Sequence, residues 1–512
     1  MDKSILSKVI AHPFFLALYS VLALFSTNLG EMVFRSSLRP LAFAMLLSFV
    51  LCGLFYLVYR QWLRAGIAAT WALFLFFTYG HIYNLLKIGL PMLARHRYLV
   101  PLWGLLLLFG LILVVRKIRN PKPITAILNV VSLVLVVFSL FTIGRYYVLK
   151  TRTSQAYEIQ PGQLALIPPK DPPDIYYILL DGYTRADVLD EKFGFDNSAF
   201  INELESRSFY VPTCNRSNYT STQLNLATLL NMDYLEGLVG EIEDKSSIEN
   251  APLEDLGKHN KVMSALQQVG YETVAFETSY YWSHFTDADY YFEPTQQSGL
   301  SASLSSFEEL YLDTTLVSVL LDWSSFQATQ IAVMPRQVHY DRINFVLNTL
   351  KELPNFEGPQ FTFAHMVIPH PPYIFDENGL IADLSQYSDS WQEGEKGREG
   401  YLNNIRFINQ QILDVIDVIQ DKSTTPPIII IQSDHGSDFT DRTMNFAAYY
   451  FPGEGSAALY NTITPVNTFR LVFDTYFDAS LPLLPDRSFV SVGGYYEFQS
   501  VEDPYPHCQN ND

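Results

Sequence analysis

Long apolar runs dominate the first 150 residues of the chain, and shorter ones recur after them. Five N-terminal runs are close to the length of about 20 residues that crosses the core of a bilayer. Acidic side chains hardly interrupt them, because Asp2 and Glu31 are the only two before residue 151. The pattern predicts five transmembrane helices, over residues 13–29, 38–59, 62–86, 98–115 and 125–143.

The charges between these runs predict how the chain crosses the membrane. With the N-terminus inside, the inner loops carry eight lysine and arginine residues and the outer loops carry five. Five spans then place the rest of the chain on the outer side of the plasma membrane. A cleaved signal peptide is an alternative for the first run, since Lys3 and Lys8 precede it, but no small-residue cleavage pattern follows.

Beyond residue 150 the composition changes, with 51 acidic against 19 basic side chains. Such an acidic surface argues against nucleic acid as a partner. Residues 151–173 are polar and rich in proline, which predicts a juxtamembrane linker. We therefore divide the chain into a membrane domain (1–150), this linker, a catalytic domain (174–495) and a C-terminal tail (496–512).

Short apolar runs in the catalytic domain alternate with helical periodicity. Strands are predicted at 174–180, 273–276, 360–367 and 428–432, and helices at 197–207, 258–268 and 401–419. This alternation is typical of an α/β three-layer domain with a largely parallel central sheet. The predicted fold is thus a multi-pass α-helical membrane domain followed by an α/β domain.

Two of the predicted strands end in acidic residues. The run of four isoleucines at 428–431 leads into Ser433-Asp434-His435-Gly436, and the strand at 174–180 leads into Asp181-Gly182. The carboxyl ends of parallel strands are where α/β sheets bind ligands, and aspartate and histidine are ligands of divalent metals. We expect Asp181, Asp434 and His435 around one cation, although Asp181 taken alone could equally be a turn or cap residue.

Two further segments carry candidate chemistry. Hydroxyl residues at 217–222 precede a helical pattern, where a hydroxyl is either an N-cap or an activated nucleophile. A proline-rich turn after the strand at 360–367 displays His370. His365, inside that strand pattern, is more readily explained as structural.

Together these pieces resemble the alkaline phosphatase and sulfatase superfamily. The layout is similar to its membrane-anchored branch, the lipoteichoic acid synthases and the lipid A phosphoethanolamine transferases. The resemblance makes Asp181, Asp434 and His435 metal ligands, although those enzymes usually have glutamate at the first position. It makes Thr222 both a metal ligand and the nucleophile. Residues 222–227 match the spacing of the family segment in which a helix follows the catalytic threonine.

The same resemblance places His370 against the substrate phosphate or a second metal, although Ile368 stands where the family segment has glycine. The segment that begins at Cys214 does not match the motif that formylglycine sulfatases require, which argues against that class of sulfatase. The transferases carry another histidine soon after Asp-His-Gly, whereas here the next one is His507. One divalent ion (Mn, Zn or Mg) is therefore expected.

The resemblance implies a phosphothreonine mechanism. Thr222 would accept a phosphoglycerol or phosphoethanolamine head group from a phospholipid donor and pass it to a glycan or lipid acceptor of the cell envelope. Candidate substrate contacts are Trp282, His284 and Arg470; aromatic packing would also explain the first two, and a structural ion pair the third.

Other interpretations stay open at the sequence level. Water could be the acceptor, which would make the enzyme a phosphodiester hydrolase or a sulfatase-like hydrolase. A catalytically inactive domain that binds the envelope is a further alternative, but it would not need Asp181, Thr222, Asp434 and His435 together. A disulfide between Cys214 and Cys508 is conceivable in an oxidising compartment, and two cysteines alone do not establish it.

Overall fold

The computed structural model describes residues 7–509, except 30–31, 33, 91, 157–163, 240–250, 279, 295–304, 322–329, 384–385, 387, 389 and 494–495. The chain forms two compact units. One comprises residues 1–149 and 298–335, and the other comprises residues 150–297 and 336–512. The predicted fold class, apolar N-terminal helices followed by an α/β domain with a mostly parallel sheet, is confirmed.

The described residues of the N-terminal region form five α-helices: α1 (His12–Ser26), α2 (Leu38–Tyr59), α3 (Trp62–Gly89), α4 (His96–Arg116) and α5 (Lys122–Ala156). Among the described residues, four helices are long and apolar enough to cross a membrane, namely α2 to α5. Helix α1 is apolar but has only 15 residues. The count of five spans therefore stays a prediction, while α5 continues into the predicted linker as far as Ala156.

Residues 298–335 belong to the first unit, although the sequence predicts them as part of the catalytic domain. The described part contains α12 (Ser306–Asp313) and α13 (Ser318–Leu321). Buried Glu308 closes a capping box with Ser305 and pairs with Arg39 at 2.5 Å. Asp313 accepts a hydrogen bond of 2.6 Å from Asn84. These polar contacts attach the inserted segment to α2 and α3.

The second unit carries the remaining elements. Its strands are β1 (Ile175–Leu180), β2 (Glu272–Phe276), β3 (Tyr290–Phe292), β4 (Gln360–Met366), β5 (Ile428–Gln432), β6 (Ala447–Tyr450), β7 (Ser488–Ser491) and β8 (Phe498–Val501). Its helices are α6 (Ala186–Phe193), α7 (Ser198–Ser206), α8 (Thr222–Leu229), α9 (Leu235–Val239), α10 (Ala251–Lys258), α11 (Lys261–Gln268), α14 (Gln330–Leu350), which begins in the first unit, α15 (Glu395–Lys422) and α16 (Pro465–Phe477). All four predicted strands and all three predicted helices are present, with boundaries shifted by up to six residues.

The main sheet has the strand order β3-β2-β4-β1-β5-β6, and among these described strands only the β5–β6 pair is antiparallel. Every residue of β1, β4 and β5 is buried, because helices cover both faces. Side chains along β1 alternate between two hydrophobic clusters, with Tyr176 and Ile178 in one and Tyr177 and Leu179 in the other. The sheet is therefore the middle of three layers, and its central strands end where the predicted site residues begin.

The C-terminal segment is attached to the second unit by covalent and ionic contacts. Cys214 and Cys508 form a disulfide across a sequence separation of 294 residues. Asp503 accepts a hydrogen bond of 2.6 Å from the buried Arg185. Strands β7 and β8 pair with each other in a small separate sheet. Much of the predicted tail is therefore structured.

The disulfide gives a first testable prediction. We expect Cys508→Ser to lower the free energy of unfolding of the catalytic unit by about 2–5 kcal/mol, because the cross-link restricts a long loop in the unfolded chain. Urea unfolding of the full chain in detergent, followed by tryptophan fluorescence, measures the change. Cys52→Ser serves as the control, since Cys52 is a free cysteine in α2. Titration of three free thiols in the denatured, unreduced wild type, rather than one, would contradict the pairing.

Candidate metal centre

The centre is built at the carboxyl ends of two adjacent parallel strands. Strands β1 and β5 pair in register, with Leu179 opposite Gln432. Asp181 directly follows β1, and Asp434 lies two residues beyond the end of β5. Because parallel strands end at the same edge of the sheet, the two carboxylates are brought together.

Asp181, Asp434 and His435 form a compact and fully buried cluster. One ligand atom from each lies within 4.8 Å of the others, and the side chains of all three are at most 1% exposed. The Oδ1 atom of Asp181 and the Oδ2 atom of Asp434 have no hydrogen-bond partner among the described residues. Buried carboxylate oxygens without partners are costly unless a cation binds them. Two carboxylate oxygens and an imidazole nitrogen therefore fit a divalent metal such as Zn, Mn or Mg.

The imidazole of His435 is oriented for ligation. Its Nδ1 lies 2.7 Å from the carbonyl oxygen of Gly436 and must donate to it, which leaves the lone pair of Nε2 directed at the carboxylates. Nε2 lies 3.3 Å from Oδ2 of Asp434 and 3.7 Å from Oδ1 of Asp181. Ser433 stabilises this turn, since its hydroxyl donates to the His435 carbonyl at 2.6 Å and accepts from the Tyr183 amide.

The histidines around Asp181 favour the ionised form of its carboxyl. Burial by itself raises the pKa of this carboxyl, but nearby His370, a hydrogen bond from His365 and the His435 ring together lower its pKa well below the usual range. The Nε2 atom of His365 lies 3.3 Å from Oδ2 of Asp181. The carboxylate is therefore available as an anionic metal ligand at physiological pH.

Thr222 lies beside the cluster at the beginning of α8. Its Oγ1 atom is 3.4 Å from Nε2 of His435. Ser221 holds the N-cap position, so Thr222 is the first helical residue and not the cap. The side chain of Asn225 hydrogen-bonds to the backbone of Tyr219 and Ser221, which fixes the segment preceding Thr222. A hydroxyl held next to a metal site and a helix N-terminus is placed to act as a nucleophile.

The structure places two of the other predicted residues near the cluster. The amide of His370 donates to the Asp181 carbonyl at 2.9 Å, and its ring centroid lies 6.5 Å from that of His435. The ring of Trp282 lies 6.0 Å from His365, which itself contacts Asp181. Both residues are thus close enough to the candidate centre for a role in binding substrate, and that role stays a prediction.

The remaining two predicted residues contact backbone carbonyls instead. The Nε2 atom of His284 lies 2.8 Å from the Thr278 carbonyl, and burial lowers the pKa of its ring. Arg470 donates to the carbonyls of Met232 at 2.8 Å and Pro482 at 2.6 Å. Their predicted role in binding substrate stays a prediction.

Two residues of the centre were missed in the sequence. The sequence pattern favours a structural role for His365; because β4 lies next to β1, the ring of His365 reaches Asp181. The sequence gives no indication of Arg442, whose Nη2 atom lies 2.5 Å from Nε2 of His435. A signal for His365 was its place near the end of a strand. Arg442 lies in a polar loop that offered no such signal.

The sulfatase family model matches residues 184–471, more than half of the 512 residues. A search of curated proteins gave no match.

Three similar solved structures show how distant the structural relatives are. The C-terminal periplasmic domain of EcEptC from Escherichia coli, in complex with Zn, is 12% identical, with a TM-score of 0.42 over 66% of this chain and 95% of that one. The integral membrane lipooligosaccharide phosphoethanolamine transferase A of Neisseria meningitidis is 12% identical, with a TM-score of 0.39 over 92% and 95%. A structure named BT33494S-sulf, from work on the metabolism of glycosaminoglycans by Bacteroides thetaiotaomicron, is 13% identical, with a TM-score of 0.39 over 64% and 83%.

Proposed function

Because the chain belongs to the sulfatase family, we propose that it is a membrane-bound, metal-dependent transferase acting through a phosphothreonine at Thr222. The enzyme moves a phosphoryl-linked head group, of the phosphoglycerol or phosphoethanolamine type, from a phospholipid to a glycan or lipid acceptor of the cell envelope. The observation that carries the proposal is the position of the Thr222 hydroxyl beside the cluster of Asp181, Asp434 and His435.

In the first half of the reaction, the Oγ1 atom of Thr222 forms a bond to phosphorus. The bond from phosphorus to the diacylglycerol oxygen breaks, and that oxygen takes the electron pair and gains a proton, which balances the proton lost by Thr222. In the second half, an acceptor hydroxyl attacks the phosphorus, the bond from phosphorus to Oγ1 of Thr222 breaks, and the proton of the acceptor hydroxyl passes to Oγ1. A divalent ion held by Asp181, Thr222, Asp434 and His435 would favour ionisation of the hydroxyl and offset charge on the phosphate oxygens.

Features outside the centre support a membrane-bound enzyme with its catalytic unit outside the cytoplasm. Four long apolar helices precede the catalytic unit in the chain and make it a membrane protein. A lipid donor is then held at high effective concentration. The disulfide between Cys214 and Cys508 favours an oxidising compartment, so we place the catalytic unit outside the cytoplasm. The same disulfide occupies the sulfur of Cys214, so this residue is no source of formylglycine.

The test is capture of the covalent intermediate. The full chain, reconstituted in vesicles that contain labelled phosphatidylglycerol and phosphatidylethanolamine, should release diacylglycerol and carry a head-group phosphoryl adduct on Thr222, detected by mass spectrometry. The mass of the adduct identifies the donor. Thr222→Ala should show neither product.

Each other outcome has a defined meaning. An adduct on Thr220 or Ser221 would contradict the assignment of the nucleophile. Free phosphoglycerol or phosphoethanolamine, formed at the same rate with or without candidate acceptors, would favour the phosphodiester hydrolase instead. Absence of any turnover or bound metal would favour the envelope-binding protein.

A further inference from the structure

We propose that Arg442 is a substrate-binding residue, whose guanidinium group holds a non-bridging oxygen of the anionic ester beside Thr222. The inference rests on the proposed function for the nature of the reacting ester. It adds a positively charged group to a centre that otherwise consists of carboxylates, imidazoles and a hydroxyl.

Three contacts fix the guanidinium group at the centre. Its Nε atom donates to the Thr220 carbonyl at 2.8 Å, its Nη1 atom pairs with the carboxylate of Asp438, and its Nη2 atom lies 2.5 Å from Nε2 of His435. The Oγ1 atom of Thr222 approaches the same His435 nitrogen, at 3.4 Å. The Nη2 donor and the candidate nucleophile are therefore neighbours.

The loop that carries Arg442 is folded tightly back on the Asp-His-Gly turn. The amide of Gly436 donates to the Arg442 carbonyl at 2.6 Å. A Cβ atom at position 436 would lie only 2.5 Å from the carbonyl oxygen of Met444 and 2.9 Å from that of Asp441, so glycine is required there. The position of the guanidinium group is thus set by the same turn that positions His435.

The Nη2 atom of Arg442 needs another hydrogen-bond acceptor when His435 binds a metal. His435 offers one lone pair on Nε2, because its Nδ1 donates to Gly436. The carboxylates of Asp181 and Asp434 lie beside Nε2, so its lone pair is directed at the candidate metal position. A nitrogen that coordinates a metal no longer accepts a hydrogen bond. The contacts of Nε with Thr220 and of Nη1 with Asp438 do not depend on that nitrogen. Nη2 would then present a donor next to Thr222, where an anionic oxygen can accept it.

The charges of the centre support the same role. The carboxylates of Asp181 and Asp434 cancel the two charges of a divalent cation, so the metal centre alone has little net attraction for an anionic ester. Asp438 offsets part of the Arg442 charge, but it contacts Nη1 and not Nη2. The planar fork of arginine suits tetrahedral oxyanions, which are shared by phosphate and sulfate esters.

The experiment measures anion binding by the full chain in detergent, loaded with zinc, with inorganic phosphate as the probe in isothermal titration calorimetry. Arg442→Ala is expected to raise the Kd for phosphate about 10- to 100-fold, because a charge-assisted hydrogen bond is lost. Zinc stoichiometry should stay unchanged. Arg442→Lys keeps the charge without the fork and should raise the Kd less. The matched control is Arg406→Ala, at a more exposed arginine that pairs with Glu399.

The outcomes separate a binding role from a structural one. If both Arg442 variants bind phosphate within twofold of the wild type while their melting temperatures fall, Arg442 only braces its loop and the proposal is overturned. If Arg442→Ala does not fold, Arg442→Lys decides by the same criterion. Thr222→Ala retains the guanidinium group and should still bind phosphate. Arg442-dependent binding without any Thr222 adduct would overturn the proposed function and leave this inference standing.

Discussion

Thr222→Ala is expected to lower kcat/KM by at least about 10³-fold, because the variant has no group that can form the covalent intermediate. The loss should appear in kcat, since the substitution leaves the metal-ligating carboxylates and His435 in place. Hydrolysis of bis(p-nitrophenyl) phosphate by the full chain in detergent gives a continuous assay that does not depend on the natural lipid. Stability should change little, because the described hydrogen bond of the Thr222 side chain, to His435, is long at 3.4 Å.

Two neighbouring substitutions show whether the effect belongs to this hydroxyl. Thr222→Ser retains the nucleophile and should keep part of the activity, whereas Ser221→Ala removes the hydroxyl of the N-cap residue and should cost less than about tenfold in kcat. Full activity in Thr222→Ala, together with loss of activity in Ser221→Ala, would show that Ser221 is the nucleophile. Equal losses in both would instead indicate damage to the start of α8.

The central strands were predictable because their physical signal is local. The isoleucine run of β5 and the apolar run of β1 are buried on both faces, and each ends abruptly in polar residues. The proximity of Asp181 and Asp434 was predictable from the rule that parallel strands end at one edge of the sheet. The assignment of Thr222 required the family resemblance, since a hydroxyl before a helix is most often a cap.

What the sequence did not predict depends on long-range packing. His365 reaches Asp181 only because β4, about 185 residues later in the chain, becomes the neighbour of β1. Arg442 reaches His435 only because its loop folds back at Gly436. The attachment of residues 305–321 to the first unit likewise depends on pairs such as Arg39 with Glu308, far apart in the sequence. No local periodicity encodes such contacts.

Asp434→Asn should separate the role of this carboxylate in metal binding from any role in folding. Without metal, we expect the variant to be at least as stable as the wild type, because one of two buried and adjacent negative charges is removed. The amide oxygen can still accept the 3.1 Å hydrogen bond from the Gly182 amide. Activity should fall at least about 10³-fold, since a metal ligand is lost.

Metal-linked stabilisation supplies the decisive measurement. A metal at 100 times its Kd stabilises the folded state by about 2.7 kcal/mol, so zinc or manganese should raise the melting temperature of the EDTA-treated wild type but not that of Asp434→Asn. Asp174→Asn is the matched control, because Asp174 lies at the opposite end of β1 and its carboxylate accepts from the Gln360 amide. That variant should keep the full metal-dependent shift. If the metal raises the melting temperature of Asp434→Asn as much as that of the wild type, the metal binds elsewhere. The ends of β1 and β5 would then not form the metal site.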